Sequence, residues 1–303
     1  MYEHIYGLSC IENHVLAVLK QCGEKVEFLY HNCAVPIYKL YSLLVRKGIK
    51  QENFAEVQRV QDILKKLGII SLVKKQPESI ENLKDLREEI QKCQRNEYIL
   101  TRVKPEFSKT VLYSRGLRTD HYVLIKSEGN DFKLYNDIPE RILTVTERQL
   151  PEIFDGDYFK MSVLRELNVD DANYLWLNRD YKPENQNSFD FNKNHFNEID
   201  EIGIKLRNMV GIYKTLSRRM AEYYGIYINT DFIRGILPNV DKLYALLEYY
   251  NLKQNTPLEK YYSVISEFVN IDGILLKQLQ TQIGENSDVK EKNKRYFNGS
   301  GIS

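Results

Sequence analysis

The chain is poor in residues that would staple it or ligate a metal. Its four cysteines (Cys10, Cys22, Cys33, Cys93) form no C-x-x-C pair, and a disulfide framework belongs to small secreted chains. Reduced thiols are therefore expected. The five histidines include His14, spaced C-x3-H from Cys10, and His31, spaced H-x-C from Cys33. Both spacings are unusual for structural zinc, so no metal or other bound cofactor is expected. Charge of one sign is missing too: 43 basic residues against 42 acidic ones leave +1. Neutralising a phosphate backbone takes a basic surplus or a clear basic face, so nucleic acid is not an expected partner. No apolar run approaches the roughly 18 residues of a spanning helix. The start, "MYEHIYGLSC", lacks a basic region leading into an apolar core, so neither a signal peptide nor a membrane association is expected. These absences point to a cytoplasmic protein.

What the chain does have is length and apolar content. Its 303 residues are 43% hydrophobic, enough for one large domain or two ordinary ones. Apolar spacing predicts a helix over 10–22, stopped at Gly23. A second helical region over 26–45 should be kinked or split at Pro36. "ENFAEVQRVQDILKKLG" reads as a third helix, "IISLVKK" as a strand, "SIENLKDLREEIQKCQ" as a helix and "EYILTRV" as a strand. The period then changes to two. "HYVLIK" and "DFKLYND" flank the turn signal "SEGN". "RILTVT", a short helix "RQLPEIF", a turn "DGD" and a closing strand "YFKMSVL" follow. Helices first and an antiparallel sheet after make an α+β domain over 1–167. Residues 168–194 are Asn/Asp-rich and weakly periodic, and read as a linker with adherent aromatics (Trp176, Phe189). Three amphipathic helices over 195–283 form a helical C-terminal domain, and 284–303 reads as a flexible tail.

Cys10 is the residue with the most chemical promise. Ser9-Cys10-Ile11-Glu12 fits the S-x-x-E capping box, with Ser9 as N-cap and Cys10 the first helical residue. The helix dipole there favours a thiolate over a thiol, and the Cys10 N–H is placed to bind an oxyanion. Read alone, the segment fits a buried core cysteine slightly better than a nucleophile. A nucleophile also needs a base and a group to orient it. With the hairpin turn centred on Gly129, facing residues sum to 258, so His121 faces Asp137. That is a His–carboxylate pair on one face of the sheet, although surface pairs of this kind are common. His14 follows Cys10 on the same helical face, as a packed neighbour or an alternative base. Cys33 is a buried thiol or a second acyl-accepting one. The basic cluster Arg46, Lys47, Lys50, Lys65, Lys66, Lys74 and Lys75 fits either a docking patch for an acidic carrier or solvated helix faces.

A cysteine at the head of the first long helix, then "DHYVLIKSEGNDFKLYNDIPERILTVTERQLPEIFDGDYFKMSVL", resembles the papain-like core of the C39 peptidases. There a His-strand is followed by a strand ending in Asp-Pro, which here becomes Asp137-Ile138-Pro139. The likeness is closer to the C39-like acyltransferases of the butirosin biosynthesis H type, which carry a helical region after the catalytic domain. It covers residues 1–165 by motif and the remainder by pattern, and Cys10, His121 and Asp137 match residue by residue. The resemblance implies a papain-like catalytic domain with a Cys-His-Asp triad. It also implies an acyl group presented as a thioester on the phosphopantetheine arm of an acyl or peptidyl carrier protein. An amine or amino acid would accept that group as an amide, in nonribosomal-type natural-product biosynthesis of the butirosin or closthioamide kind. The papain-like pattern places an oxyanion glutamine six residues before the cysteine, and His4 stands there. His4, Ser9, His14 and Cys33 are thus the candidates for oxyanion and substrate contacts. Two other readings stay open: a cysteine peptidase or thioester hydrolase using the same three residues with water as acceptor, and a non-catalytic binding scaffold.

Overall fold

Ser9 starts the first helix. Its backbone is extended (φ −141°, ψ 163°) and its Oγ accepts the Glu12 N–H at 3.2 Å. Cys10 is therefore the first residue of α1 (Cys10–Gln21). The computed structural model describes residues 2, 5–50, 54, 60–78, 83–112, 121–183, 199–253, 256–284 and 288–298. It is α+β, with a six-stranded antiparallel sheet and many helices.

The chain divides into two compact units. One unit is Met1–Glu24 with Arg59–Leu167, and the other is Lys25–Gln58 with Asn168–Ser303. The 167/168 boundary falls where the composition changes. Residues 25–58, expected within the first domain, instead pack with the C-terminal helices.

The first unit holds α1, α2 (Val60–Lys66), α3 (Lys84–Gln91) and the sheet. Its strands are β1 (Ile70–Lys75), β2 (Glu97–Val103), β3 (His121–Glu128), β4 (Asp131–Asn136), β5 (Arg141–Thr146) and β6 (Phe154–Val163), in the order β1-β6-β2-β3-β4-β5. The expected strands are all present, but "DGD" is not a turn. Residues 155–157 run inside β6, at a bulge opposite Arg102. Side chains alternate across a strand, and both faces of β3 are covered. Val123 and Ile125 join a core cluster with Leu86 and Ile90 of α3 and Ile99 and Val103 of β2. Tyr122 and Leu124 are buried on the other face, where α1 lies against β3.

The β3–β4 hairpin has a different register from the one read off its turn. Glu128 pairs with Asp131 and Leu124 with Tyr135, so facing residues sum to 259. The turn is a two-residue Gly129-Asn130 loop with φ +62° at Gly129, the positive value a first central glycine supplies in a type II′ hairpin. Centring on Gly129 alone slipped the pairing by one residue, which exchanges the faces of the strand.

In the second unit α5 (Ile202–Gly225) packs on α6 (Asp231–Leu252), and α6 on α7 (Leu258–Gly284). The stretch expected as a linker contains α4 (Val169–Leu177), capped by Asn168, whose side chain accepts from Asp170 and Asp171. Its remainder, 184–194 with Phe189, lies outside the described residues. The expected tail contains α8 (Val289–Phe297), whose Asn293 is fully buried and bonded to Asn173 at 2.8 Å. Residues 26–45 are not one helix. They form a 3₁₀ turn (Val26–Tyr30), then a helical turn that begins after Pro36 and widens into a π-helix over Tyr41–Arg46. The third expected helix is described only at Phe54 and over Val60–Lys66.

Candidate functional site

The cysteine meets the sheet at the first two residues of β3. The Tyr122 backbone N–H donates to Cys10 Sγ at 3.5 Å, and Cys10 is buried (8% exposed). Around this contact Tyr122 is held from three sides. Its carbonyl accepts from His14 Nε2 at 2.9 Å, its hydroxyl donates to Asp157 Oδ1 at 2.5 Å, and its ring packs on Phe159 at 5.2 Å. Asp157 is in turn paired with Lys74 at 3.0 Å and Arg102 at 3.4 Å. The donor that faces the sulfur is thus held in place by these contacts.

His121, next in chain to Tyr122, is fully buried, and its Nε2 bonds Asn136 Oδ1 at 2.6 Å. The Asn136 amide is itself fixed, since its Nδ2 donates to the Pro139 carbonyl at 2.7 Å. The amide oxygen must therefore face the imidazole and accept from it. A neutral ring in that position carries its proton on Nε2 and its lone pair on Nδ1. Asp137 is also buried, but its Oδ1 lies 4.0 Å from His121 Nε2, beyond hydrogen-bond reach. The facing pair expected from the hairpin is thus corrected to a diagonal one. In the 259 register Asn136 falls opposite Val123, on the face that His121 shares.

Asp137 is anchored elsewhere. Its Oδ2 accepts from Asn13 Nδ2 at 2.9 Å, and Asn13 Oδ1 accepts the Gly7 N–H, also at 2.9 Å. Asn13 thereby ties α1 and the segment before it to the end of β4. Gly7 is required by the closeness of this approach, because a Cβ there would lie 2.1 Å from Asn13 Oδ1. Glu12 completes the helix start, with Oε2 accepting the Leu8 N–H at 2.5 Å. The reciprocal bond of the capping box reaches Leu8 rather than Ser9.

The remaining candidates take structural places. Ser9 Oγ serves the helix cap. His14 is fully buried, and the Tyr122 carbonyl can only accept, so Nε2 is the protonated nitrogen. Its Nδ1 then accepts from the Tyr2 hydroxyl at 2.5 Å. Burial lowers the His14 pKa, with Asp137 and the Tyr122 carbonyl pulling the other way. This neutral, doubly bonded ring braces the site. Cys33 belongs to the second unit, where burial pushes its thiol up to about 12. It is a poor nucleophile. His31, in the same unit, is lowered to about 4 by burial. His4 lies outside the described residues. The basic cluster is divided between the units, and Lys74 and Lys75 are paired with Asp157 and Glu89.

Beside Asp137 a cavity of about 390 Å³ is lined by Tyr2, Ile5, Asn13, Asp137, Ile138 and Glu140. No protein-family model, curated protein or solved structure matches this chain. Among the described residues no helix is long and apolar enough to cross a membrane, and no group of three His, Cys, Asp or Glu side chains is placed to hold a metal ion. Asn136, Tyr122 and Asn13 are the site residues that sequence reasoning missed. The Gly-Asn dipeptide in "SEGN" was the available signal for Asn136, since it marks a two-residue hairpin loop.

Proposed function

We propose that this chain is a cysteine-dependent acyltransferase on a papain-like core, with Cys10 as nucleophile, His121 as base and Asn136 as the residue orienting the base. The observation that carries this reading is the join between Cys10 Sγ and the Tyr122 N–H, directly beside a histidine whose Nε2 is held at 2.6 Å. His121 Nδ1 takes the Cys10 proton, and the thiolate attacks the carbonyl of a thioester carried on the phosphopantetheine arm of a carrier protein. N–H groups at the start of α1 face the oxyanion that develops. Collapse breaks the C–S bond to the arm, whose thiol leaves with the proton from His121, and acyl-Cys10 remains. An amine then attacks, His121 accepts its proton, the amide departs, and Cys10 is restored. Asn136 fixes the tautomer. Asp137, 4.0 Å from Nε2, stabilises the imidazolium through its charge.

The test has two stages. Iodoacetamide should label Cys10 ahead of Cys22, Cys33 and Cys93, and His121→Ala should abolish that advantage. Labelling of Cys10 no faster than Cys93 would leave a binding scaffold as the reading. Intact-mass analysis with an acyl-carrier thioester should show a Cys10 adduct, released as amide only when amine is present. Release as free acid at the same rate without amine would assign the hydrolase reading instead.

A further inference from the structure

The stretch Asp155-Gly156-Asp157 has a shape that strand pairing alone does not require. Tyr158 of β6 pairs with Thr101 and Phe154 with Val103, so three residues of β6 stand opposite Arg102. Gly156 turns this bulge with φ +85°, and Arg102 Nε donates to the Asp155 carbonyl at 2.5 Å. Bulges re-aim side chains. Here the re-aimed side chain is that of Asp157, 2% exposed, whose Oδ1 accepts the Tyr122 hydroxyl at 2.5 Å while Lys74 and Arg102 pair with Oδ2. The pairing of β3 with β4 stops where Leu124 faces Tyr135. Two residues further along, the Tyr122 N–H and carbonyl meet α1 instead, at Cys10 Sγ and His14 Nε2. We propose that Asp157 is a positioning residue for Cys10, holding the Tyr122 N–H on the sulfur through the Tyr122 hydroxyl.

The hydroxyl lies at the far end of the ring from the backbone. Anchored there, the residue resists rotation about the strand, the motion that would swing its N–H off Sγ. The anchor is an O–H···carboxylate bond, short and charge-assisted, whereas the N–H···S contact at 3.5 Å is the weaker of the two. Lys74, half exposed on β1, Asp157 on β6 and Tyr122 on β3 thus form a row that crosses the sheet from its edge to the sulfur. With the N–H in place Sγ keeps one orientation, and a fixed orientation is what a reacting group needs. This inference rests on the acyl-transfer reading only in taking Cys10 as the reacting group.

The experiment uses the full chain labelled with ¹⁵N-tyrosine, in which the Tyr122 amide cross-peak is assigned by its loss in Tyr122→Phe. Cys10→Ala should move that cross-peak in the native background. In an Asp157→Ala background it should leave the cross-peak in place, because the N–H has already left the sulfur. A purely structural Asp157 gives the same displacement in both backgrounds, and that result overturns the proposal. Iodoacetamide labelling of Cys10 should slow about fivefold in Asp157→Ala and in Tyr122→Phe, and no further in the double variant, because both changes break one bond. Thermal melts check that each variant folds. Tyr122→Phe keeps the ring that packs on Phe159 and carries the test if Asp157→Ala does not fold; unslowed labelling in it also overturns the proposal. The two readings fail separately. A background-dependent cross-peak with no selective Cys10 labelling in the native chain sinks the acyltransferase alone, and selective labelling that neither substitution slows sinks the positioning role alone.

Discussion

Asn136 and Asp137 make different demands on His121, and substitution separates them. Asn136→Ala removes the acceptor 2.6 Å from Nε2 and the donor 2.7 Å from the Pro139 carbonyl. Loss of the acceptor leaves the buried imidazole N–H unsatisfied at about 1–3 kcal/mol, whereas exposed Pro139 can turn its carbonyl to water, so the first unit should be destabilised by about 1–3 kcal/mol. Loss of ring orientation should cost the reaction about 1–2 kcal/mol, or about 5–30-fold in the plateau rate of Cys10 alkylation. Asn136→Asp keeps an acceptor for Nε2 and should hold the plateau within about threefold. Asp137→Asn breaks no hydrogen bond to His121. It removes a negative charge 4.0 Å away, which disfavours the imidazolium and narrows the pH range of the thiolate–imidazolium pair while the maximum stays within about threefold. The assay is the pH profile of iodoacetamide labelling at Cys10, read by peptide mass spectrometry, with a urea melt for each variant. A full plateau in Asn136→Ala together with a lost one in Asp137→Asn would return the orienting role to Asp137 and refute the assignment.

Gly7→Ala should lose about 1–3 kcal/mol in urea melts, because the added Cβ falls 2.1 Å from Asn13 Oδ1 and must push Asn13 away from Asp137. Removing the cap with Ser9→Ala should cost about 1 kcal/mol in the same melts and slow Cys10 alkylation. His31 gives the second unit a pH dependence of known sign. Burial lowers it to about 4, so between pH 6.5 and about 4 the unfolded chain binds a proton that the folded chain refuses. His31 alone costs about 3 kcal/mol as pH drops through that window. Asp272 in the same unit, raised to about 6 by burial, takes up a proton on folding and opposes that loss. His31→Phe should therefore gain stability relative to the native chain as pH falls from 6.5 to about 4, and identical profiles in calorimetry at stepped pH would count against burial of His31 as the cause.

How far the sequence reaches is visible in particular residues. The Ser9 cap and Cys10 at the helix head were legible because capping is a local interaction, complete within four residues. The strands were legible from their period of two. The partner of His121 was not, because register depends on where a two-residue loop is centred, and one residue of error exchanges Asn136 for Asp137. The grouping of residues 25–58 with the C-terminal helices was out of reach for a different reason. An amphipathic pattern reports that Val26, Phe28 and Leu29 will be buried but carries no information about which surface buries them. The polar α8 was hidden because its apolar content is low, and α4, although it carries Val169, Leu175, Trp176 and Leu177, because it is short. The caps of both, Asn168 and Asp288, sit in Asn/Asp-rich surroundings that also read as loop.

The interleaving of the two units bears on how the chain can be made and cut. The chain passes from one unit to the other after Glu24, after Gln58 and after Leu167. On a ribosome, residues 25–58 emerge long before the helices they pack with, while α1 waits for the sheet that places Tyr122 against its cysteine. A fragment ending at Leu167 would contain every residue of the proposed chemistry. It would also carry Phe28, Leu29, Tyr30, Leu40 and Leu44, all buried in the whole chain, without the helices of their own unit. Such a fragment should aggregate on expression, so the smallest soluble piece of this protein that keeps Cys10 in place is expected to extend well into the C-terminal helices.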